Sequence, residues 1–138
     1  PLLVTFIPML TDTGGNAGSQ SSTMIIRGMA VGEIEARDIL RVLWKELRVG
    51  VIVGVLLGLV NYVQLVVRFP GQEMLCLTVV LSLLATVMLA KTIGCVLPIV
   101  AQVLHLDPAI MAAPLITTIV DAVSLIIYFQ LACSLLKI

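Results

Sequence analysis

Four apolar stretches, each close to the length that crosses a bilayer and joined only by short polar links, restrict this chain more than any other feature. About 20 apolar residues span the hydrocarbon core, and 60% of the 138 residues here are apolar against 12% charged. A soluble domain is nearer one quarter charged, with its apolar residues in stripes rather than runs. The expected fold is therefore an all-α membrane protein. It is a polytopic helical bundle of about four transmembrane helices plus one amphipathic interfacial helix, forming one domain over residues 1–138.

The last stretch, Asp107 to Phe129, carries one carboxylate, Asp121, in its middle. A mid-membrane Asp costs roughly 2.5–3.5 kcal/mol on insertion scales, so such residues face a bundle interior or a watery path. At helical spacing Thr117, Asp121, Ser124 and Tyr128 share one face, because residues three and four apart stack along a helix. The first segment, from about Leu2 to Ala30, has a centre, TDTGGNAGSQSST, too polar to face lipid. Asp12, Asn16, Ser19 and Thr23 fall together there, and Gly14 and Gly18 form a small-xxx-small pair that admits another backbone. Two readings fit it: a sheltered helix with irregular backbone at the glycines, or a polar loop between two short apolar pieces.

Arg27 to Arg48 holds five of the eight basic residues, which places this connection in the cytoplasm. Its apolar residues recur at helical spacing with charges between them, predicting an amphipathic helix at the interface with a solvated charged face. The second span, Val49 to Val67, carries Gly50, Gly54 and Gly58 four residues apart, a smooth strip for close packing. Arg68 to Glu73 is a Pro-Gly turn on the opposite side. The third span, Met74 to Leu104, carries Lys91, read as snorkelling or as a structural ion pair, and Pro98, expected to kink it. His105 and Asp107 fall in a cytoplasmic turn, with Asp107 as helix N-cap ahead of Pro108. The order is outside, in, out, in, out.

Cys76, Cys95 and Cys133 are widely spaced and lie within or at the end of apolar runs, so buried free thiols are expected. A net charge of zero gives no signal for nucleic acid. The opening PLLVTFIPML lacks a basic n-region and a cleavage site, and reads as the interior of a longer chain rather than a signal peptide.

Hard cations such as magnesium take oxygen ligands and release water reluctantly, so one or two carboxylates plus waters suit them. Asp121 with the hydroxyls of Thr117 and Ser124, opposite Asp12 and Asn16, offers such a metal site, and no soft ligand cluster competes. Two aspartates in membrane helices also raise an aspartyl protease, but neither has the setting such a dyad needs, so no enzyme is expected. A purely structural pair of hydrogen-bonded carboxylates is the remaining alternative from the residues.

The residues GGNAGSQ (Gly14 to Gln20) and DPA…PLITTIVD (Asp107 to Asp121) resemble the MgtE magnesium channel family and its eukaryotic solute-carrier relatives. The likeness covers essentially the whole chain, with both motifs in order. It implies a five-helix membrane domain working as a homodimer in the cell (inner or plasma) membrane. It also implies that the first helix and a cytoplasmic regulatory part, an N-terminal domain followed by paired CBS modules, are absent from these 138 residues. The pore would run along the dimer axis, lined by the GGNAGSQ helix and the last helix. The family's ion-binding Asp falls on Asp121, holding hydrated Mg2+ through its water shell with backbone oxygens around Thr117. Ser124 stands where many members have glycine, and Ala112 and Ala113 replace small polar residues. The function so implied is a Mg2+ channel domain passing ions inward, with an ion-coupled secondary carrier as the alternative.

Overall fold

A computed structural model describes residues 2–107 and 113–137 of the chain. Its order is α1 (Leu2–Thr5), α2 (Ile7–Ala30), a 3-10 turn (Ala36–Asp38), α3 (Ile39–Arg68), α4 (Glu73–Val103) and α5 (Ala113–Leu136). Pro8 in the first turn of α2 loses no hydrogen bond, since the first N–H groups of a helix have no partner within it. Three helices, over Ile39–Arg68, Glu73–Val103 and Pro114–Leu136, are long and apolar enough to cross a membrane. At 1.5 Å per residue, the 24 residues of α2 reach about 36 Å, long enough for a bilayer but too polar to face one unaided. The chain is a multi-pass helical membrane protein.

Two sequence expectations are corrected. The amphipathic stretch before the second span is no separate interfacial helix; from Ile39 onward it forms the first turns of one 30-residue α3. Nothing between Leu47 and Val51 can stop a helix except Gly50, and a single interior glycine costs only about 1 kcal/mol. The break falls earlier, at Gly32, whose φ of +80° ends α2 and turns the chain back. There the N–H groups of Glu33 and Ile34 bond the Gly28 carbonyl, and Ile34 lies directly over Gly28. The glycines of the first segment, in turn, bring no irregularity: α2 is continuous from Ile7 to Ala30. The chain also runs through Pro98 without leaving the helix. The expected cap at Asp107 and Pro108 involves residues outside those described.

Helix α4 is the centre of the bundle, packed against α2, α3 and α5, while α2 also packs on α5. Three apolar clusters follow one another along it. Near the N-terminus of α2, Phe6 and Leu10 meet Leu65, Val79 and Leu83, with Tyr128 of α5 fully buried among them. Its hydroxyl donates to the Leu3 carbonyl at 2.7 Å, and Phe6 meets Phe69 edge-on with centroids 5.8 Å apart. In the middle, Ala17, Val87, Ala90, Ile116 and Val120 pack together. Near the C-terminus of α2, Ile25 and Met29 meet Cys95 and Ile99. Cys76 and Cys95 are buried free thiols as expected, but Cys133 is exposed.

Glycines set the distances between helices. Gly50, Gly54 and Gly58 present α3 to Met88, Leu84 and Val80 of α4. The closest approach is between α2 and α4, where a Cβ added at Gly94 would run into the Gly18 backbone. The opposite face of α3 exposes Ile52, Leu56, Leu59, Val60 and Val63, a surface suited to lipid and too apolar for water. Gly94→Ala should therefore destabilise the protein by about 1–3 kcal/mol, read as a lower thermal unfolding midpoint in detergent. Gly50→Ala should cost less, because its Cβ meets only the movable side chains of Lys91 and Met88, at 3.1 and 3.2 Å. Equal midpoints for the two variants would contradict this packing.

Candidate functional site

The GGNAG motif divides α2 into two sides. Gly14, Gly15 and Gly18 are buried, where Cβ atoms would press on Val120, Thr117 and Ile116 of α5 and on Thr86 of α4. Between them Asn16 points outward, and Asp12, Gln20 and Thr23 are exposed with it on the other side. The small residues bring α5 close while the polar ones stay uncovered. Helix α5 is divided likewise. Ile116, Val120, Ser124 and Tyr128, four residues apart, are buried; Thr117 and Asp121, one position further round, are half-buried.

Where these two faces meet, an open cleft of about 550 Å³ is lined by Pro8, Met9, Thr11, Asp12, Thr117 and Asp121. Three of the five residues expected to hold a metal, Asp121, Thr117 and Asp12, are thus brought together. Thr11 donates its hydroxyl to the Ile7 carbonyl at 3.0 Å, which leaves its oxygen able only to accept. A second cleft, about 450 Å³, is lined by Asn16, Ser19, Gln20, Thr23 and Met24. Asn16 therefore belongs to the next stretch of the same polar face. Ser124 faces elsewhere: it is buried, its hydroxyl donates to the Asp121 carbonyl at 3.0 Å, and it stands beside Thr86 and Val120. It braces the backbone under Asp121 without reaching the cleft. Tyr128, expected on the same working face, anchors the C-terminal half of α5 to α1 instead.

The carboxylate of Asp121 has one oxygen, Oδ1, buried without a hydrogen-bond partner. Buried polar atoms are nearly always satisfied, and leaving one unpaired costs about 1–3 kcal/mol. No group of three or more His, Cys, Asp or Glu side chains among the described residues could form a cage for a metal ion. The cleft instead offers carboxylates at Asp12 and Asp121 with hydroxyls beside them, a donor set suited to a cation that keeps its water.

One polar group escaped sequence reasoning. Glu46, in the stretch from Arg27 to Arg48 whose charges were expected to form a solvated face, is buried and accepts a hydrogen bond from Ser21 of α2 at 2.7 Å, with Lys91 of α4 beside it at 3.4 Å. The ion-pair reading of Lys91 is the one realised, and its partner could have been found. Glu46 stands four residues before Gly50, on the same strip as Gly54 and Gly58 and hence on the packing side of α3.

Comparison with known proteins agrees with the motifs. The sequence profile of the MgtE family, described as a divalent cation transporter, matches residues 7–131. The chain is 37% identical over 135 residues to the magnesium transporter MgtE of Thermus thermophilus, covering 98% of the chain and 30% of that protein. It is 34% identical over 130 residues to the magnesium transporter MgtE of Bacillus subtilis, covering 94% of the chain and 29% of the relative. For the Enterococcus faecalis magnesium transporter MgtE the figures are 29% over 137 residues, 99% and 30%. The chain thus spans about three tenths of the length of these relatives. A match over nearly all of its described helices, with the glycine motif and Asp121 on adjoining helices, shows that the chain belongs to the MgtE family of divalent cation transporters.

Proposed function

We propose that this domain conducts Mg2+ into the cell, through a path that two copies of the chain enclose between their α2 and α5 faces. The observation that carries the reading is Asp121, a carboxylate in an apolar helix with a buried, unpartnered oxygen beside a cleft that Asp12 also lines. Hexahydrated magnesium needs room for six waters, roughly 180 Å³ at about 30 Å³ each. The open cleft exceeds that volume, so a hydrated ion has room beside Asp12 and Asp121. Asp121 would then accept hydrogen bonds from the bound waters, with Thr117 next to it and Asp12 across the cleft. Asn16 and Gln20 continue the polar lining toward the cytoplasm.

The same polar face argues for a second copy. Hydrocarbon offers no partners to Asp12, Asn16, Gln20 and Thr23, so a surface of this kind at membrane depth must face protein or water. The exposed face of α3 has the opposite character and suits lipid. Closing the polar faces of two copies on one another creates a wet path and removes the exposure. The relatives named above are magnesium transporters, and Mg2+ is the cation proposed here. With the cell interior negative, entry of each charge gains about 2.3 kcal/mol per 100 mV, twice that for a divalent ion. Inward conduction needs no second fuel. The carrier alternative drew on a discontinuous first segment and on a kink at Pro98; α2 is continuous, which removes the first of these, while Pro98 lies inside α4.

Two outcomes follow. Charge-assisted hydrogen bonds contribute about 1.5–3 kcal/mol, so Asp121→Ala should lower Mg2+ flux into liposomes by roughly 10- to 100-fold. Its unfolding midpoint should stay level or rise, since the buried Oδ1 that it removes had no partner; normal flux would overturn the assignment. For the assembly, cysteine at Asn16 should form disulfide-linked dimers in membranes when Cys133 is replaced by Ser, and cysteine at Ile52 should not. The reverse pattern would place the contact on α3 and contradict the proposed path.

A further inference from the structure

Three polar side chains that the conduction path does not use meet inside the bundle, one from each of three helices. Ser21 of α2 donates its hydroxyl to Glu46 Oε2 of α3 at 2.7 Å. Lys91 Nζ of α4 donates to Ser21 Oγ at 3.3 Å and to Glu46 Oε2 at 3.4 Å. Exposure is 0% for Ser21, 4% for Glu46 and 6% for Lys91, so water contributes little to solvating the charges.

Stability is a poor explanation for such a group. Taking two charges out of water costs several kcal/mol per ion, and apolar residues of similar volume often serve a fold as well or better. The packing around the group is already close: Gly18 meets Gly94 one turn away, and Gly50 sits against Lys91 and Met88. These glycine contacts fix how near the helices come. They present smooth surfaces with little resistance to a small rotation, whereas hydrogen bonds depend on direction and do resist it.

Rotation of α2 is the variable that matters to the cleft. Ser21 follows Asp12 by nine residues, and at about 100° per residue it lies half a turn away, on the back of the helix. The group therefore grips α2 from behind Asp12, about 140° round the helix from Asn16 and about 100° from Gln20. We propose that Ser21, Glu46 and Lys91 form a positioning site that sets the rotation of α2, and with it the placement of the polar face opposite Asp121. This rests on the conduction reading above, with the three residues acting through α2 and touching no ion.

The test separates positioning from stability. In the full-length protein, Ser21→Ala, Glu46→Met and Lys91→Met are combined, so that no charge or hydroxyl is left unpaired. The expected result is a thermal midpoint at or above that of the unmodified protein, with Mg2+ flux in liposomes reduced by about tenfold or more. Cysteine placed at Asn16 should also change its rate of labelling by a water-soluble thiol reagent about threefold or more. A stable triple variant with unchanged flux and labelling would overturn the proposal while leaving the conduction reading intact. Should the triple variant unfold, Ser21→Ala alone decides, since it keeps the ion pair and frees only α2; unchanged flux and labelling there would equally overturn it. Absence of Mg2+ flux in the unmodified protein would overturn the conduction reading itself, and this proposal with it.

Discussion

Hydrocarbon cannot hydrogen-bond, and the arrangement of this bundle follows from where its polar groups can be placed. Three helices meet that condition by being apolar. Helix α2 cannot, because its middle carries Asp12, Asn16, Ser19, Gln20 and Thr23 between the glycines. Its solution is to bury a smooth glycine side against α4 and α5 and to leave the polar side in two clefts. Asp121 belongs to the same solution, since the helix carrying it is held against α2 by the contacts of Gly14, Gly15 and Gly18 with Val120, Thr117 and Ile116. Packing and site are two sides of one helix.

Helix α4 lets this happen. It touches each of the other long helices and receives glycines from two of them, so α2 and α3 are positioned through it. Its own polar residues face inward, and the hydroxyls of Ser82 and Thr86 are buried there without a hydrogen-bond partner. Thr78 bonds its own helix, donating to the Met74 carbonyl at 2.8 Å, and Lys91 pairs with Glu46 and Ser21. A scaffold helix, a lipid-facing helix and two helices sharing a polar cleft is a division of roles that fits a domain conducting a hydrated ion.

Much of this was legible in the residues, and the exceptions have physical causes. Asp121 stood out because a lone carboxylate in an apolar run is costly, and the strip at Gly50, Gly54 and Gly58 announced a packed face. The ends of the second link were visible in Pro70 and Gly71. The single α3 was harder to see, because a change from amphipathic to apolar composition looks like a boundary although no residue there breaks a helix. Helical spacing put Ser124 and Tyr128 with Asp121, but a face some 100° wide holds both cleft-facing and buried positions. Which is which depends on where α2 and α4 press. Glu46 was hidden by its charged neighbours in sequence, although its register with the glycines marks the packed side.

The central claim is that Asp121 of two copies faces a shared path for hydrated magnesium. A structure of the full-length protein in a lipid bilayer with Mg2+ present tests it most directly. The account predicts density for a hydrated ion beside Asp121 on a two-fold axis, with α2 and α5 of both copies around it. A dimer joined through the apolar face of α3, with Asp12, Asn16 and Asp121 turned away from its axis, would contradict it.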